Sequence, residues 1–447
     1  MHPIPLQRTL AISSLVYAAI SLVIPLVRGW EMLVALHMLR GLLLGVFIPA
    51  TIMIIFRNLP ERWWVPALAI YAFRLAFSQA CGPLLIGFYA QSVSWQWIYW
   101  QDVFVAPIVG LLISLGTPRE SVDLGLLSRA DWGGMALLGS GAALIYAGLD
   151  QGNRLNWLES GTVATMLIIG GALVTGFLVN ESLVRFPWAS HKVIMSRNIG
   201  LSFFVILCFT TASLSNSMLP SGFLGLVMGF RPEQIGTALF VGTALPLLIT
   251  LPLAVVLIRR FDARWTMLMG FMAFAIAARM GTDLTHLWSP WSFLPMGLLQ
   301  SVGQGFTFLA AVVYILANSD PKRSTAMAAY IQCLRLGGAE IATTLMATFL
   351  THREQLHSYL LGLHLPAGGP DVTRALHAFT APFLGDGSSA SASAARGTLG
   401  LSAMVAREAN TLAYIDGFQL TFWAAVAGIL LVALMGRSPQ GPLTPAR

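Results

Sequence analysis

The feature that most constrains this chain is a run of about 18 or more apolar residues that recurs from residue 9 to residue 436. Such a run forms a helix able to cross a hydrocarbon core about 30 Å thick. Windows bounded by charge, Pro or Trp number twelve, at about 9–27, 31–56, 65–90, 97–116, 132–149, 161–180, 199–220, 235–258, 265–281, 292–317, 325–350 and 419–436. The runs are continuous rather than alternating, which favours helices over barrel strands. The expected fold class is therefore all-α, a polytopic membrane protein with about 12 transmembrane helices. Composition agrees: 56% of residues are hydrophobic and 10% charged, against about 45–50% and 25% in soluble domains. An ordinary soluble enzyme is excluded.

Orientation follows from Lys and Arg outside the spans. With the N-terminus inside, the inner segments hold Arg8, Arg57, Arg62, Arg119, Arg129, Arg185, Lys192, Arg197, Arg259, Arg260, Arg264, Lys322, Arg323, Arg437 and Arg447, and the short outer loops hold Arg28, Arg154 and Arg231. This bias places both termini in the cytoplasm. The connection at about 352–418 is long enough to escape the rule. The net charge of +7 is then a cytoplasmic-face feature facing the lipid bilayer, and no nucleic acid is expected as a partner. Trp30, Trp63, Trp64, Trp95, Trp97, Trp188, Trp265 and Trp291 fall at span ends and read as interfacial anchors. Cys81, Cys208 and Cys333 lie inside spans without a C-x-x-C pair and read as small apolar fillers.

The sequence has no phosphate-binding G-x-x-x-x-G-K-[ST] loop, dinucleotide fingerprint or H-E-x-x-H. No cofactor and no metal are expected. His352, Glu354, His357 and His364 cluster after the eleventh span, but His352 and His357 would lie about 140° apart on a helix, so a solvated amphipathic segment is the better reading. Gly385 to Gly397 reads as a flexible loop tip.

Ionisable residues inside spans are costly and default to function. They are His37 and Arg40 in the second span, Arg74 in the third, Asp102 in the fourth, and Arg335 with Glu340 in the eleventh. Arg279, four residues before Asp283, reads instead as locally paired. His37, Gly41, Gly45 and Pro49 repeat every four residues as one stripe whose glycines permit close helix approach. Arg74, Ser78 and Gly82 repeat the spacing, and Pro83 is placed to kink the third span.

These motifs resemble the major facilitator superfamily. His37-Met-Leu-Arg40-Gly41-Leu-Leu-Leu-Gly45 with Pro49 resembles its R-x-x-Q-G motif. Ser78-Gln-Ala-Cys-Gly82-Pro83-Leu-Leu-Ile-Gly87 resembles its antiporter G-x-x-x-G-P-x-x-G-G motif, and Trp95-Gln-Trp97-Ile-Tyr-Trp-Gln-Asp102-Val resembles the W-R-W-I-F-x-I-N-V stretch of the EmrB/QacA-type drug/proton antiporters. Gly303-Gln-Gly305-Phe, Arg335-Leu-Gly337-Gly338-Ala-Glu340-Ile and Arg353-Glu354-Gln-Leu-His357 resemble that family's late spans and outer loop. Several positions depart from the pattern. The motif Arg falls on His37 and its Gln on Arg40, and Glu340 stands where a small residue is usual. An imidazole, unlike a guanidinium, changes charge near neutral pH.

The family has fourteen spans, so the first span here corresponds to its third, and the first two are expected to be missing through a shortened N-terminus. The implied organisation is a four-span remainder of the N-terminal bundle over 1–116, a two-span central insert over 117–190, and a six-span C-terminal bundle over 191–447 including the outer loop 352–418. The implied function is secondary active, proton-coupled efflux of drugs or other small amphiphilic compounds across the bacterial inner membrane. Glu340, His37 and Asp102 are the proton-coupling candidates, and Arg40, Arg74 and Arg335 are the cavity or charge-partner candidates, with Arg335 expected to partner Glu340. Gly41, Gly45, Pro49, Gly82, Pro83, Gly87, Gly303, Gly305, Gly337 and Gly338 are the packing and gating motif. Three deep Arg against one Glu favour anionic over cationic substrates. Some relatives feed a periplasmic adaptor and outer-membrane channel, for which 352–418 is the place of contact. The competing readings are a non-transporting homologue, which the missing spans bring closer, and a membrane-embedded lipid-modifying enzyme, for which only the outer His group offers chemistry.

Overall fold

A computed structural model describes residues 6–118, 125, 131–184, 196–319, 324–366, 368–384, 390–439 and 443. Of the basic residues behind the orientation argument, Arg119, Arg129, Arg185, Lys192, Lys322, Arg323 and Arg447 lie outside that set, as does Trp188. The side chains of Pro49 and Arg57 lie outside it too.

Thirteen helical elements follow in order among the described residues. They are α1 (Leu6–Val23), α2 (Trp30–Asn58), α3 (Trp64–Phe88), α4 (Trp97–Gly116), α5 (Trp132–Gly152) and α6 (Gly161–Leu183). Next come α7 (Arg197–Val227) and α8 (Pro232–Arg260), then α9 (Ala263–Gly281), α10 (Leu294–Ala317), α11 (Ser324–Leu363), α12 (Pro370–Leu384) and α13 (Ala390–Leu434). Ten of these stretches are long and apolar enough to cross a membrane.

Two of the twelve expected spans fall short of that criterion although both are helical. In α9 the run is closed at its ends by Arg264 and Arg279, and α11 carries Gln332, Arg335, Glu340 and Arg353 along its length. Both earn their place by packing: α9 lies along α10 and α13, and α11 lies along α7 and α13.

The core sits in the second half of the chain. Helix α10 is its axis: 83% of its most apolar stretch is buried, against 6% for α4. Phe271 and Phe274 of α9, Phe306 and Tyr314 of α10, and Phe209 of α7 fill the interior around it. Small residues let these helices touch. A Cβ on Gly303 would sit 2.8 Å from the Phe274 ring, and one on Gly338 would sit 2.7 Å from Leu207. Helix α3 joins this core through Leu68, Tyr71 and Ala72, packing along α8 and α10.

The remaining helices form two smaller groups. Helices α1 and α4 pair with each other, with α2 alongside. Helices α5 and α6 form a hairpin closed by Gly141 against Gly170, whose would-be Cβ atoms each meet the other's carbonyl oxygen within 3.1 Å. Asp131 caps α5 by accepting Gly134 N–H at 2.8 Å and also accepts Asn180 Nδ2 of α6 at 2.6 Å. That pair reaches the rest of the molecule mainly through α11.

Two helices interrupt their ladders. In α7 the helix breaks into turns at Leu214–Ser217 and reforms, ending on the wide π-turn Phe223–Val227. Another wide turn, Phe240–Ala244, lies in α8 ahead of Pro246. Such turns displace a helix axis and free backbone groups, and they recur at functional sites.

The segment expected as a long loop is largely helical. At about 1.5 Å per residue, the 40 residues of α11 and the 45 of α13 run to about 60 and 67 Å, about twice a hydrocarbon core. Both therefore continue beyond the membrane and pack together there, with α12 against α13. Residues 391–397, expected as part of a loop tip, are the first turns of α13, where alternating Ala favours helix; 385–389 lie outside the described residues.

Candidate functional site

Two polar clusters interrupt the apolar interior. The first joins α1, α2 and α4. His37 and Arg40 stand three residues apart on α2, and Tyr99 and Asp102 three apart on α4, so each pair shares a helix face. Arg40 forms an ion pair with Asp102 through Nη2 and Oδ2. The Tyr17 hydroxyl of α1 donates to the same carboxylate oxygen at 3.2 Å. The guanidinium carbon lies 4.7 Å from the Tyr17 ring centre and 5.1 Å from that of Tyr99, so two aromatic faces add cation–π attraction. Tyr99 Oη and His37 Nε2 are 3.4 Å apart, with their rings edge-on. Arg40 Nε is buried without a partner among the described residues.

The second cluster faces a cavity between α3, α7, α8, α10 and α11. One lobe, of about 320 Å³, lies against the break in α7, where Asn216 and Ser217 meet Gln79 and Pro83 of α3. Gln79 also lines the other lobe, a cleft of only about 30 Å³, with Phe209, Thr210, Gln304, Phe308 and Arg335. Arg335 Nε donates to Gln332 Oε1 at 3.2 Å, and Gln332 Nε2 donates in turn to the Tyr71 hydroxyl of α3. The Arg335 guanidinium lies 5.9 Å from the Phe308 ring centre, and that of Arg74 5.3 Å from the ring centre of Tyr71. Phe209 and Phe308 stack at 5.5 Å. Behind this wall, Gln300 Nε2 donates to Ser215 Oγ at 2.6 Å and Thr243 donates to Asn216 Oδ1 at 3.0 Å, which ties α7, α8 and α10 together through buried polar groups.

Glu340 lies apart from Arg335. Five residues on one helix separate them by about 140°, and no ion pair joins them among the described residues. Glu340 is instead within electrostatic reach of the Tyr146 phenol of α5, beside Gly337, where a Cβ would collide with the Tyr146 hydroxyl.

The glycine motifs divide. Nothing lies within 4 Å of a Cβ built on Gly41, Gly45 or Gly82. Gly87, four residues past Pro83, is closed by the Glu233 backbone of α8, with Glu233 N at 2.6 Å from its would-be Cβ, and Gly236 returns the contact against Leu84. Gly305 packs 3.1 Å from Thr250 Oγ1. Close approach thus belongs to the α3–α8, α8–α10 and α9–α10 seams.

Beyond the membrane, Arg353 and His357 of α11 both hold Asp416 of α13, at 2.5 and 2.7 Å. His286, in the α9–α10 connection, meets Glu408 of α13 at 2.7 Å. No group of three metal-binding side chains occurs among the described residues. Arg279 pairs with Asp283 at 3.4 Å.

Tyr17, Tyr71, Tyr99, Gln304 and Gln332 escaped the reading of the sequence. A usable signal was there: Tyr71, Tyr99 and Gln332 each stand three residues before a deep charge, Arg74, Asp102 and Arg335.

Apolar helices around a polar, charged cavity define a polytopic membrane protein of the transporter class. The sequences of known proteins agree. The chain is 24% identical over 360 residues to the probable multidrug resistance protein EmrY of Escherichia coli K12, covering 78% of this chain and 68% of that protein. It is 24% identical over 361 residues to the multidrug export protein EmrB of the same organism, covering 77% and 67%. A solved bacterial homologue of the human lysosomal transporter Spinster, inward-facing and unoccupied, aligns over 96% of this chain and 98% of that one, with 15% identity and a TM-score of 0.39. No family model matches the chain. Over about three quarters of its length the chain is thus similar to the EmrB- and EmrY-type multidrug transporters.

Proposed function

We propose that this protein is a secondary active transporter that couples inward proton flow to efflux of drugs or other small amphiphilic organic compounds. The observation that carries the reading is the pair of adjoining cavities that share Gln79, one against the break in α7 with α3, α8 and α11, the other placing Arg335 and Gln304 among apolar helices. Substrate sites of secondary transporters sit where helices are interrupted near the bilayer midplane, and here the break in α7 borders the cavity. The relatives bearing multidrug export names are transporters rather than enzymes, which supports efflux as the direction and a multi-pass membrane protein as the class.

Glu340 is the leading proton carrier in this reading. It has no ion pair among the described residues, whereas Asp102 is committed to Arg40, and His37 sits against Tyr99. The bacterial inner membrane, with both termini in the cytoplasm, is the proposed location, supported by the distribution of Lys and Arg. The four-span, two-span and six-span organisation over 1–116, 117–190 and 191–447 is supported by the mutual packing of α5 with α6 and by the shared core of α7–α11 and α13. The outer parts of α11 and α13 with α12 are the proposed contact for a periplasmic adaptor leading to an outer-membrane channel.

Reconstitution tests the reading. Purified protein in liposomes, given an imposed pH gradient, is expected to move an amphiphilic fluorescent dye against its concentration gradient and to stop when a protonophore collapses the pH difference. Dye movement equal to that of protein-free liposomes overturns it.

A further inference from the structure

We propose that the groove between the first half of α3 and the last half of α8 binds an anionic phospholipid, with an acyl chain in the groove and the phosphate at the guanidinium of Arg259. The groove shares no lining residue with the two cavities described above, so the site stands apart from the transport reading. Its walls are Pro66, Ile70 and Phe73 of α3 and Leu248, Pro252 and Val255 of α8, around about 400 Å³. Ala69 and Leu251 are buried at its floor, whereas Ile70 and Leu248 are 71% and 56% exposed at its rim. The groove is therefore closed toward the core and open toward the lipid.

The shape has a local cause. At their other ends the two helices meet tightly, where Gly87 and Gly236 seat the backbones of Glu233 and Leu84. Between those contacts and the groove, α8 carries the wide turn Phe240–Ala244 and Pro246, with Pro252 in the wall itself. Wide turns and prolines both bend a helix axis, so α8 draws away from α3 and leaves the gap. Along α8, Leu248, Pro252, Val255 and Arg259 follow one another at four, three and four residues, which is one stripe of the helix. At about 1.5 Å per residue that stripe is about 16 Å long, the depth of one leaflet of a core about 30 Å thick.

Charge closes the stripe. Arg259 Nη2 donates to the Arg62 carbonyl oxygen at 2.7 Å, so the guanidinium reaches from α8 to the turn that leads into α3, across the mouth of the groove. That bond uses one of its five N–H groups. Arg260 follows it, and Arg62, Arg259 and Arg260 are all exposed. No carboxylate pairs with any of the three among the described residues; the acidic neighbour is the exposed Glu61. Trp63 and Trp64 lie at the same end, as tryptophans do at a membrane–water interface. Three guanidinium groups at headgroup level beside an apolar slot one leaflet deep match a lipid with a net negative head, because a zwitterionic head brings its own cation to the same place. On the proposed orientation this is the cytoplasmic leaflet, the one with the negative surface potential.

The test uses the full chain in a non-ionic detergent, titrated with dioleoyl phosphatidylglycerol, dioleoyl phosphatidylcholine or inorganic phosphate. Native mass spectrometry counts the bound molecules, and thermal unfolding reports their effect. Phosphatidylglycerol is expected to fill one site about tenfold or more tightly than phosphatidylcholine, the range of two Arg contacts, and to raise the unfolding midpoint by holding α3 to α8. Phosphate alone is expected to do neither. Arg62→Gln combined with Arg259→Gln is expected to bring phosphatidylglycerol down to the phosphatidylcholine level, and Arg259→Lys to keep most of the preference. Val255→Phe, which fills the groove, is expected to weaken both lipids, and Arg437→Gln, at the end of α13, to change neither. Equal binding of the two lipids overturns the inference, as does a preference that survives the double Gln variant or is lost equally in Arg437→Gln. Phosphate bound as tightly as phosphatidylglycerol would make this a bare anion site, and a dimer in place of lipid, lost in Val255→Phe, would give the groove to a second copy; either result also overturns it.

Discussion

Arg40 on α2 and Asp102 on α4 are joined in an ion pair, and the phenol of Tyr17 on α1 donates to the same carboxylate oxygen. Both positions depart from the motifs they resemble: Arg40 stands where the pattern has Gln, and Asp102 where it has Asn. Either change alone strands a charge among apolar helices. Together they neutralise each other and fasten three helices at one point, so the two departures read as one compensated change.

That compensation predicts a thermodynamic cycle. Removing one partner of a buried pair costs about 3–5 kcal/mol, and side-chain exposures of 15% and 22% place this pair at the low end. Asp102→Asn is expected to lower the thermal unfolding midpoint of the purified protein in detergent. Adding Arg40→Gln is expected to recover more than half of the loss, because the stranded charge is then gone. A double variant no more stable than Asp102→Asn would mean that the pair is not the source.

The glycines make a second, contrasting prediction. At Gly303 a Cβ would sit 2.8 Å from the Phe274 ring, inside any normal contact, so Gly303→Ala forces the α9–α10 seam apart at about 1–3 kcal/mol. At Gly41 nothing lies within 4 Å, and Ala in a helix is favoured over Gly by about 1 kcal/mol. Thermal unfolding should therefore fall for Gly303→Ala and hold or rise for Gly41→Ala.

The difference between those glycines marks what was legible in the sequence. Apolar runs announce spans because bilayer thickness sets a length, and α1 to α8 and α10 appear where the runs lie. Which glycine touches which helix depends on tertiary rotation, which no local pattern encodes: Gly41 and Gly303 look alike in sequence and differ in space. The outer halves of α11 and α13 were hidden for another reason. Beyond the apolar run the composition turns polar, and the helix there is supported by Ala-rich propensity and by the Asp416 contacts between distant segments. Charges inside spans were visible as costs, but their partners were side chains brought from other helices, as with Tyr71 and Arg335.

Glu340 and Asp102 separate the coupling candidates. Glu340 has no ion pair among the described residues, whereas Asp102 is bound to Arg40. With Glu340→Gln, dye transport in proteoliposomes is expected to lose its dependence on the imposed pH gradient, with substrate binding retained. Asp102→Asn, measured at a temperature where it remains folded, is expected to keep gradient dependence. Gradient-driven transport and an unchanged pH profile in Glu340→Gln would remove Glu340 from the mechanism.

The outer contact between α11 and α13 predicts a local rather than a global effect. Arg353 and His357 stand four residues apart on α11 and converge on Asp416, so one carboxylate ties two extended helices beyond the membrane. Tyr414 and Phe418 flank it, packed with Phe223, Met346 and Leu350 in a separate apolar cluster. Asp416→Asn keeps the side chain's shape and removes its charge. Amide hydrogen exchange is expected to quicken over about 350–363 in α11 and 405–416 in α13, the stretches that Asp416 joins. Exchange in α10, enclosed by the main core, is expected to stay unchanged, because local opening draws on the least buried units first. Faster exchange throughout the bundle would show instead that Asp416 supports the global fold.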